Sequence, residues 1–411
     1  MGDVDTARLQ ALMAASNLDG LLVVEPENFA YFAGAAGFPV TIWRRAGPAS
    51  VVVASDATMT FVVPHTREQI VREANPQGKV LAHDIWIERI AAEPQPDEGA
   101  EQVVARATAG RRVHRPQTYD EARVHELLHT ALDDAALLGK RVGVECEFTP
   151  ALDFERLRRV LNGTQLVDSS DLIRELRIIK TPAEIAAHRL ATQLAELGIS
   201  GSLQGLDEGT VPLDIRLRYA ETIYRTVRER RLVDFEFAGT AVNVGPYWDT
   251  GDPLRTTRPG DLIQFDCGTQ IHGSKSDIGR TFSFGPPTDV QQRIESALLA
   301  GFDAGLAELR PGRRFCDVFQ AAQQAVRDAG FPSYFRGHVG HSIGSETFGE
   351  EWPFFSATEE RVLEPGMVVA FEMPYYITGV GAFQNEDNFL ITESGHESFN
   401  QLPMELTIVG I

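Results

Sequence analysis

Phe265-Asp266-Cys267-Gly268, followed by Ser276-Asp277-Ile278-Gly279-Arg280-Thr281-Phe282, is the stretch that decides how this chain reads. Each of its two aspartates sits where charge is expensive. Asp266 follows the apolar run Leu262–Phe265 and, by strand alternation, shares a face with Gln264, while Cys267 points the other way. Asp277 lies between Gly273 and the strand-like Arg280–Phe284. Three further residues share this character. Glu372 follows Met367-Val368-Val369-Ala370-Phe371, which is too apolar for an exposed strand, and Glu386 precedes the strand-like Asp387–Ile391. His341 stands in Gly340-His341-Ser342-Ile343-Gly344. A buried carboxylate is costly unless it is paired or bound to a cation. Taken singly, each of these residues fits a salt bridge or an edge-of-strand solvent contact. Together, four carboxylates and one imidazole suit a pair of divalent cations with room for a bound hydroxide, the equipment of a two-metal hydrolytic site.

The motifs resemble those of the creatinase, prolidase and aminopeptidase P family of pita-bread-fold metallopeptidases. The family's Asp-x-Gly and Ser-Asp-x-Thr-Arg-Thr read here as Asp266-Cys267-Gly268 and Ser276–Thr281. Its Gly-His-x-Ile-Gly reads Gly340–Gly344. Its Glu-Pro motif, after a Pro-Gly-Met turn, reads Pro365-Gly366-Met367 and then Phe371-Glu372-Met373-Pro374, and its last Glu-Asp is Glu386-Asp387. A weaker likeness extends to Leu18–Val23 and Pro26-Glu27-Asn28, and Arg177–Pro182 resembles the opening of the family's catalytic domain. The resemblance implies that Asp277 and Glu386 bridge two divalent ions, that Asp266 binds one and that His341 with Glu372 binds the other. It also implies a metal-bridging hydroxide as nucleophile, a proton relay through Glu372, and a homodimer. An oxygen-rich set with an imidazole suits Mn, Fe, Co or Zn better than Ca.

The chain departs from the peptidase pattern around these ligands. Family peptidases carry a histidine about seven residues after the metal histidine, in a His-Glu or His-Asp pair; that position is Phe348. Another lies on the loop before Gly260-Asp261, where this chain has Gly245–Asp252 with no histidine and Trp248 or Asp249 nearest. Gln384 stands where a basic residue commonly precedes the last Glu-Asp, and Gly279 replaces the threonine of Ser-Asp-x-Thr. Positioned acid–base groups typically contribute about 10²–10⁴-fold to rate, so these changes point to a retuned substrate. Trp248 and Phe348 are the candidate substrate-binding walls, and His338 and Glu372 the candidate catalytic residues. His272 and His396 read as surface residues.

The 411 residues suffice for two domains and, at 43% hydrophobic, for full cores. A formal charge of −20 argues against a phosphate-backbone partner, which needs clustered Lys and Arg, so no nucleic acid is expected. The cysteines Cys146, Cys267 and Cys316 form no disulfide framework or zinc spacing, which suggests a reducing cytoplasm. The acidic N-terminus has no signal-peptide run; Gly2 with Thr6 fits a bare myristoylation pattern, but no polybasic patch follows. No apolar stretch nears the roughly 20 residues a bilayer crossing needs, so no membrane partner is expected.

Element patterns divide the chain into an α/β domain over residues 1–167 and a catalytic α+β domain over 172–411. The first reads as a helix at Thr6–Ser16, a strand at Gly20–Val24, a hairpin of Ser50–Ala54 with Met59–Val63, helical Thr66–Ala74, strands at Gly78–Ile87 and Arg141–Cys146, and helices within Asp120–Leu138. Strands separated by helices suggest a mixed, largely parallel sheet. The second opens at Thr181-Pro182 with Glu184, a capping box. Helices to about Leu197 and over Pro212–Arg231 precede strands at Phe235–Val244, Asp261–Cys267 and Thr269–Phe284. The order repeats, with helices from Thr288 to Leu309 and Phe315 to Ala329, then strands at Met367–Met373, Phe383–Thr392 and Leu406–Val409. Two such halves imply a pseudo-twofold pita-bread domain with a strongly curved antiparallel sheet covered by helices. Trp43-Arg44-Arg45 is a loop whose arginines could reach an anionic substrate group in a dimer, against the plainer reading of a solvated loop.

The expectation is a dinuclear-metal hydrolase resembling Xaa-Pro peptidases, acting on a peptide or peptide-like C–N bond. The alternative is a small-molecule enzyme on the same metal centre, a C–N hydrolase of cyclic or guanidino compounds or a lyase. A non-enzymatic binding module fits poorly, because such relatives usually lose metal ligands.

Overall fold

A computed structural model describes residues 4–88, 92–109, 115–248, 252–345 and 349–410. The chain divides into two compact units, Met1–Leu176 and Arg177–Ile411. The first holds a six-stranded sheet of β1 (Gly20–Val23), β2 (Ser50–Ala54), β3 (Met59–Pro64), β4 (Lys79–His83), β5 (Arg141–Val144) and β6 (Gln165–Asp168), in the order β4-β3-β2-β1-β5-β6. Alternation along the central strand buries both faces. Leu21 and Val23 pack with Leu9, Phe29 and Phe32 from helices Thr6–Ala15 and Pro26–Ala33 on one side. Leu22 and Val24 pack with Val124, Leu128 and Leu157 from helices Glu121–Asp134 and Ala151–Val160 on the other.

The expected hairpin is present, and the Asp56 carboxylate accepts from the Thr58 N–H and hydroxyl at 2.9 and 2.7 Å to close its turn. The sheet is mixed, as expected: β1-β5, β5-β6 and β3-β4 run parallel, β1-β2 and β2-β3 antiparallel. The loop arginines make ion pairs in this unit. Arg45 grips the buried Asp153 with two hydrogen bonds of 2.6 and 2.5 Å, and Arg44 donates to Glu27 at 2.8 Å.

In the second unit the cap signals form as read. The Thr181 hydroxyl accepts from the Glu184 N–H, and the Glu184 carboxylate accepts from the Thr181 N–H; Thr288 and Gln291 do the same. Helices Pro182–Ser202 and Pro212–Arg230 belong to one half, Asp289–Glu308 and Phe315–Asp328 to the other. The strands are β7 (Phe235–Val244), β8 (Asp261–Ile271), β9 (Ser274–Lys275), β10 (Ile278–Phe284), β11 (His338–Ile343), β12 (Glu350–Ser356), β13 (Val368–Glu372), β14 (Tyr375–Ile377), β15 (Gly381–Phe383), β16 (Glu386–Ile391), β17 (His396–Ser398) and β18 (Thr407–Val409). The main sheet runs β12-β11-β13-β16-β10-β8-β7, antiparallel at every step. The two halves meet at β10 and β16 through one register pair, Gly279 with Glu386. Two core clusters, one around Phe302, Phe319 and Phe371 and one around Tyr219, Phe265 and Phe282, lie under the two helix pairs.

Three strand expectations change. Thr269–Phe284 is not one strand: the chain turns at His272 and Gly273, both at positive φ, and Asp277 sits in the link between β9 and β10. Phe383–Thr392 breaks at Gln384-Asn385. β11 and β12 are strands beyond those expected, the first interrupted by Gly340 and the second by Pro353, a residue unusual in a strand. At Gly340 (φ +126°) a Cβ would lie 2.2 Å from the Ala370 carbonyl oxygen, so this close approach of β11 to β13 needs glycine. Among the described residues no helix is long and apolar enough to cross a membrane.

Candidate metal centre

Strand register assembles the site. Asp266 on β8 pairs with Gly279 on β10, Gly279 with Glu386 on β16, and Glu386 with Glu372 on β13. Residues opposite one another across strands share a face, so this row presents three carboxylates side by side with a side-chain-free gap at Gly279. His341 on β11 pairs with Ala370, two residues along β13 from Glu372, and so joins the same face.

Asp277 lies outside any strand, yet its backbone is held as if in one. The Asn388 side chain donates to its carbonyl at 2.6 Å and accepts from its N–H at 3.1 Å, and Asn388 is itself fixed by the buried Thr192 hydroxyl at 3.0 Å. The His341 ring is oriented by its Nδ1, 2.9 Å from the Ser342 carbonyl oxygen. With Nδ1 as the donor, Nε2 is a free acceptor. It lies 3.8 Å from Asp277 Oδ2 and 3.9 Å from Glu386 Oε1. Asp277, His341 and Glu386 each offer a ligand atom within 4.8 Å of the others.

Around this face the polar groups are tied down. Gln384 Nε2 donates to Glu372 Oε2 at 3.1 Å and to Glu386 Oε2 at 3.0 Å, and Gln384 Oε1 accepts from the Tyr376 hydroxyl at 2.6 Å. Arg280 is 1% exposed and all five of its guanidinium donors are used. They reach the carbonyls of Gly279, Glu386, Leu402 and Pro403 and the Asp387 carboxylate, at 2.6 to 3.0 Å. One cation thereby clamps the backbone that carries Glu386.

The electrostatics call for cations. Burial, then the charges of Asp266, Glu372 and Glu350, push Asp277 well above the ordinary carboxylate range. Burial and the other three carboxylates do the same to Glu386. Burial with Glu350 raises Asp266 to about 6, and burial raises Glu372 to about 7 against the opposing charge of Arg336. Burial lowers His341, favouring the neutral imidazole that ligates metals. Carboxylate oxygens converging with one imidazole nitrogen are a donor set that fits divalent cations.

The model of metallopeptidase family M24 matches residues 217–393, and that of the creatinase/prolidase N-terminal domain matches residues 6–179. The chain belongs to this creatinase/prolidase family of metallopeptidases. It is a metal-dependent peptidase. The Xaa-Pro dipeptidase of Pyrococcus horikoshii is 27% identical over 267 residues, which are 65% of this chain and 75% of that relative. In fold, this peptidase resembles the Xaa-Pro dipeptidase from Bacillus anthracis (TM-score 0.78, 20% identity, covering 98% of this chain and 99% of that one). It also resembles dipeptidase PepE from Mycobacterium ulcerans (TM-score 0.74, 24% identity, covering 99% and 97%). The two-domain architecture and the curled antiparallel sheet with helices are those of the family.

In this peptidase His338 Nδ1 lies 3.4 Å from Glu372 Oε1. Trp248 is half exposed and stacks on Tyr376, with ring centroids 4.9 Å apart and planes 17° from parallel. Phe348 and Asp249 lie outside the described residues. Cys267 faces the core, as its alternation requires. His272 and His396 are exposed.

Sequence reasoning missed Asn388, Glu350 and Arg336, and it left the part played by Gly279 and Gln384 unread. Asn388 follows Glu386 by two and therefore shares its face, a signal that alternation could have supplied. Gly279 and Gln384 were visible only as departures. The structure makes them one feature, because a Cβ at Gly279 would fall 2.0 Å from Gln384 Cγ. Glu350, two residues past Phe348, starts β12, and its charge acts on Asp266, Asp277, Glu372, His338 and His341. Arg336 carries no motif at all.

Proposed function

We propose that this metallopeptidase cleaves the bond ahead of proline in small Xaa-Pro peptides, with Asp266, Asp277, His341, Glu372 and Glu386 holding two divalent ions of Mn, Fe, Co or Zn. Asp277 and Glu386 would be shared by the two ions, with Asp266 holding one and His341 with Glu372 the other. The observation that carries this reading is the in-register row Asp266, Gly279, Glu386 and Glu372, with His341 Nε2 facing Asp277 and Glu386. The relatives described as Xaa-Pro dipeptidases support the substrate class.

Bound ions would supply a nucleophile from water at neutral pH and polarise the scissile carbonyl. The chain's own residues then manage orientation and protons. Gln384 holds Glu372 and Glu386 in fixed rotamers. Glu372 accepts the proton released on attack, and His338, 3.4 Å away, passes one to the departing nitrogen.

The test is proline release from a panel of Xaa-Pro dipeptides by enzyme loaded separately with each metal, with Asp266→Ala as control and metal content measured for Asp277→Ala. Turnover lost in Asp266→Ala, together with depleted metal in Asp277→Ala, is the expected result. Normal metal content in Asp277→Ala would overturn the ligand assignment. No turnover with any metal would overturn the substrate class and move the search to cyclic amides and guanidino compounds.

A further inference from the structure

Two buried cations open the second unit, and they differ in what they hold. Arg177 and Lys180 are each 4% exposed. Lys180 Nζ is buried without a hydrogen-bond partner among the described residues. Arg177 Nη2 donates to Ser345 Oγ and to Glu351 Oε1, both at 2.7 Å. Ser345 lies just past the end of β11, and Glu351 lies at the start of β12. One buried nitrogen therefore closes the mouth of the connection between these strands. A charge-assisted bond of this kind is stronger than one between neutral groups.

That mouth is packed against the segment carrying Asp277. The Glu351 carboxylate lies on the backbone of Gly344, where a Cβ would fall 2.5 Å from both of its oxygens. The Gly344 carbonyl accepts from the Lys275 N–H at 3.0 Å. The Lys275 carbonyl lies 2.6 Å from Nδ1 of the buried His188 on helix Pro182–Ser202. Lys275 ends β9, and Asp277 follows in the link to β10. Where the chain returns from the connection, a Cβ at Gly349 would lie 3.6 Å from Asp277 Oδ2. Both feet of the connection therefore border the Asp277 link, and β11 itself carries His341.

We infer that Arg177 is a positioning residue for the metal centre. By holding Ser345 and Glu351 together it keeps Gly344 and Gly349 against the Asp277 link. It thereby sets the gap between Asp277 Oδ2 and His341 Nε2, which is 3.8 Å. Asn388 tethers the same aspartate from the β16 side, through its N–H and carbonyl. Arg177 supplies the tether from the β11 side, without touching a proposed ligand itself. The effect on metal binding rests on the ligand assignment above; the effect on the link does not.

The test compares the full-length wild type with Arg177→Met, Arg177→Lys and Lys180→Met. Arg177→Met deprives Glu351 of this partner in a buried place and risks unfolding, so Arg177→Met combined with Glu351→Gln is made beside it. Hydrogen exchange is read by mass spectrometry, on protein as purified and again after chelation. Peptides spanning residues 273–278 should exchange roughly tenfold faster or more in Arg177→Met and in the double variant, with peptides of β7 and β8 unchanged. In chelator competition the same variants should bind metal roughly ten- to hundred-fold more weakly. Arg177→Lys should recover part of both effects, and Lys180→Met should match the wild type in both. Faster exchange throughout the unit would overturn the inference, because Arg177 would then only stabilise the fold. Unchanged exchange at 273–278, or a Lys180→Met as impaired as Arg177→Met, would overturn it as well. So would wild-type metal affinity in the Arg177 variants when Asp277→Ala loses its metal. If Asp277→Ala binds metal normally, the ligand assignment fails separately, and the exchange comparison alone decides whether Arg177 holds the link.

Discussion

Replacing Gly279 by alanine should disable the metal centre without touching a ligand. The new Cβ would sit 2.0 Å from Gln384 Cγ and 3.1 Å from its Cβ and Cδ. Cγ is close to the backbone, so the clash is relieved only by swinging the whole side chain to another rotamer. That movement breaks two hydrogen bonds to carboxylates, 3.1 Å to Glu372 and 3.0 Å to Glu386, and the 2.6 Å bond from Tyr376. Hydrogen bonds to charged groups are worth about 1.5–3 kcal/mol each, which bounds the loss at roughly 3–6 kcal/mol. The carboxylates remain available to a metal, so the smaller outer-shell effect of about 10–100-fold in metal affinity or activity is the expected size. The assay is chelator competition for metal, with kcat/KM on the same preparations, for Gly279→Ala, Gln384→Ala and the double variant. If the clash acts through Gln384, the double variant should be no worse than the poorer single one. Wild-type affinity in Gly279→Ala, or losses that multiply in the double variant, would refute the coupling.

Arg280→Lys removes the planar fork and leaves Asp387 and several carbonyls short of donors in a buried place; a loss of about 3–5 kcal/mol is expected, and denaturant unfolding measures it. Burial raises the Glu295 carboxyl to about 7, against the amide of Asn385 beside it. The folded state therefore holds this proton more tightly, so stability falls as pH rises from the ordinary value of 4.5 through about 7, by roughly 3 kcal/mol. In Glu295→Gln the difference in unfolding free energy between pH 5 and pH 8 should shrink by about that amount relative to wild type, and an unchanged difference would count against a buried, protonated Glu295. Glu350→Gln removes a negative charge that acts on Asp266, Asp277 and Glu372. Because Glu350 is exposed, metal affinity should drop by less than about tenfold, more at low salt than at high, as titration at two ionic strengths would show.

Local chemistry made much of this protein legible from its sequence. Thr181-Pro182 with Glu184 and Thr288 with Gln291 mark helix starts through bonds that close within one turn, and Phe235–Val244 reads as a strand with the bounds it has. The five proposed ligands stood out because each acid sits against an apolar run, which is a property of neighbours in sequence. What the tertiary structure decided is register and convergence. That Asp266, Gly279, Glu386 and Glu372 form one row depends on pairings between strands far apart in sequence, Gly279 with Glu386 above all, and no periodicity specifies which residue faces which. Asp277 is positioned by Asn388, the gap at Gly279 is filled by Gln384, and Arg336 reaches the carboxylate row across Tyr376. Sequence sets the preference of each segment for helix, strand or turn and for burial, because those terms are local. The site is a sum of side-chain contacts between distant segments, and only the folded sheet brings them within hydrogen-bonding range.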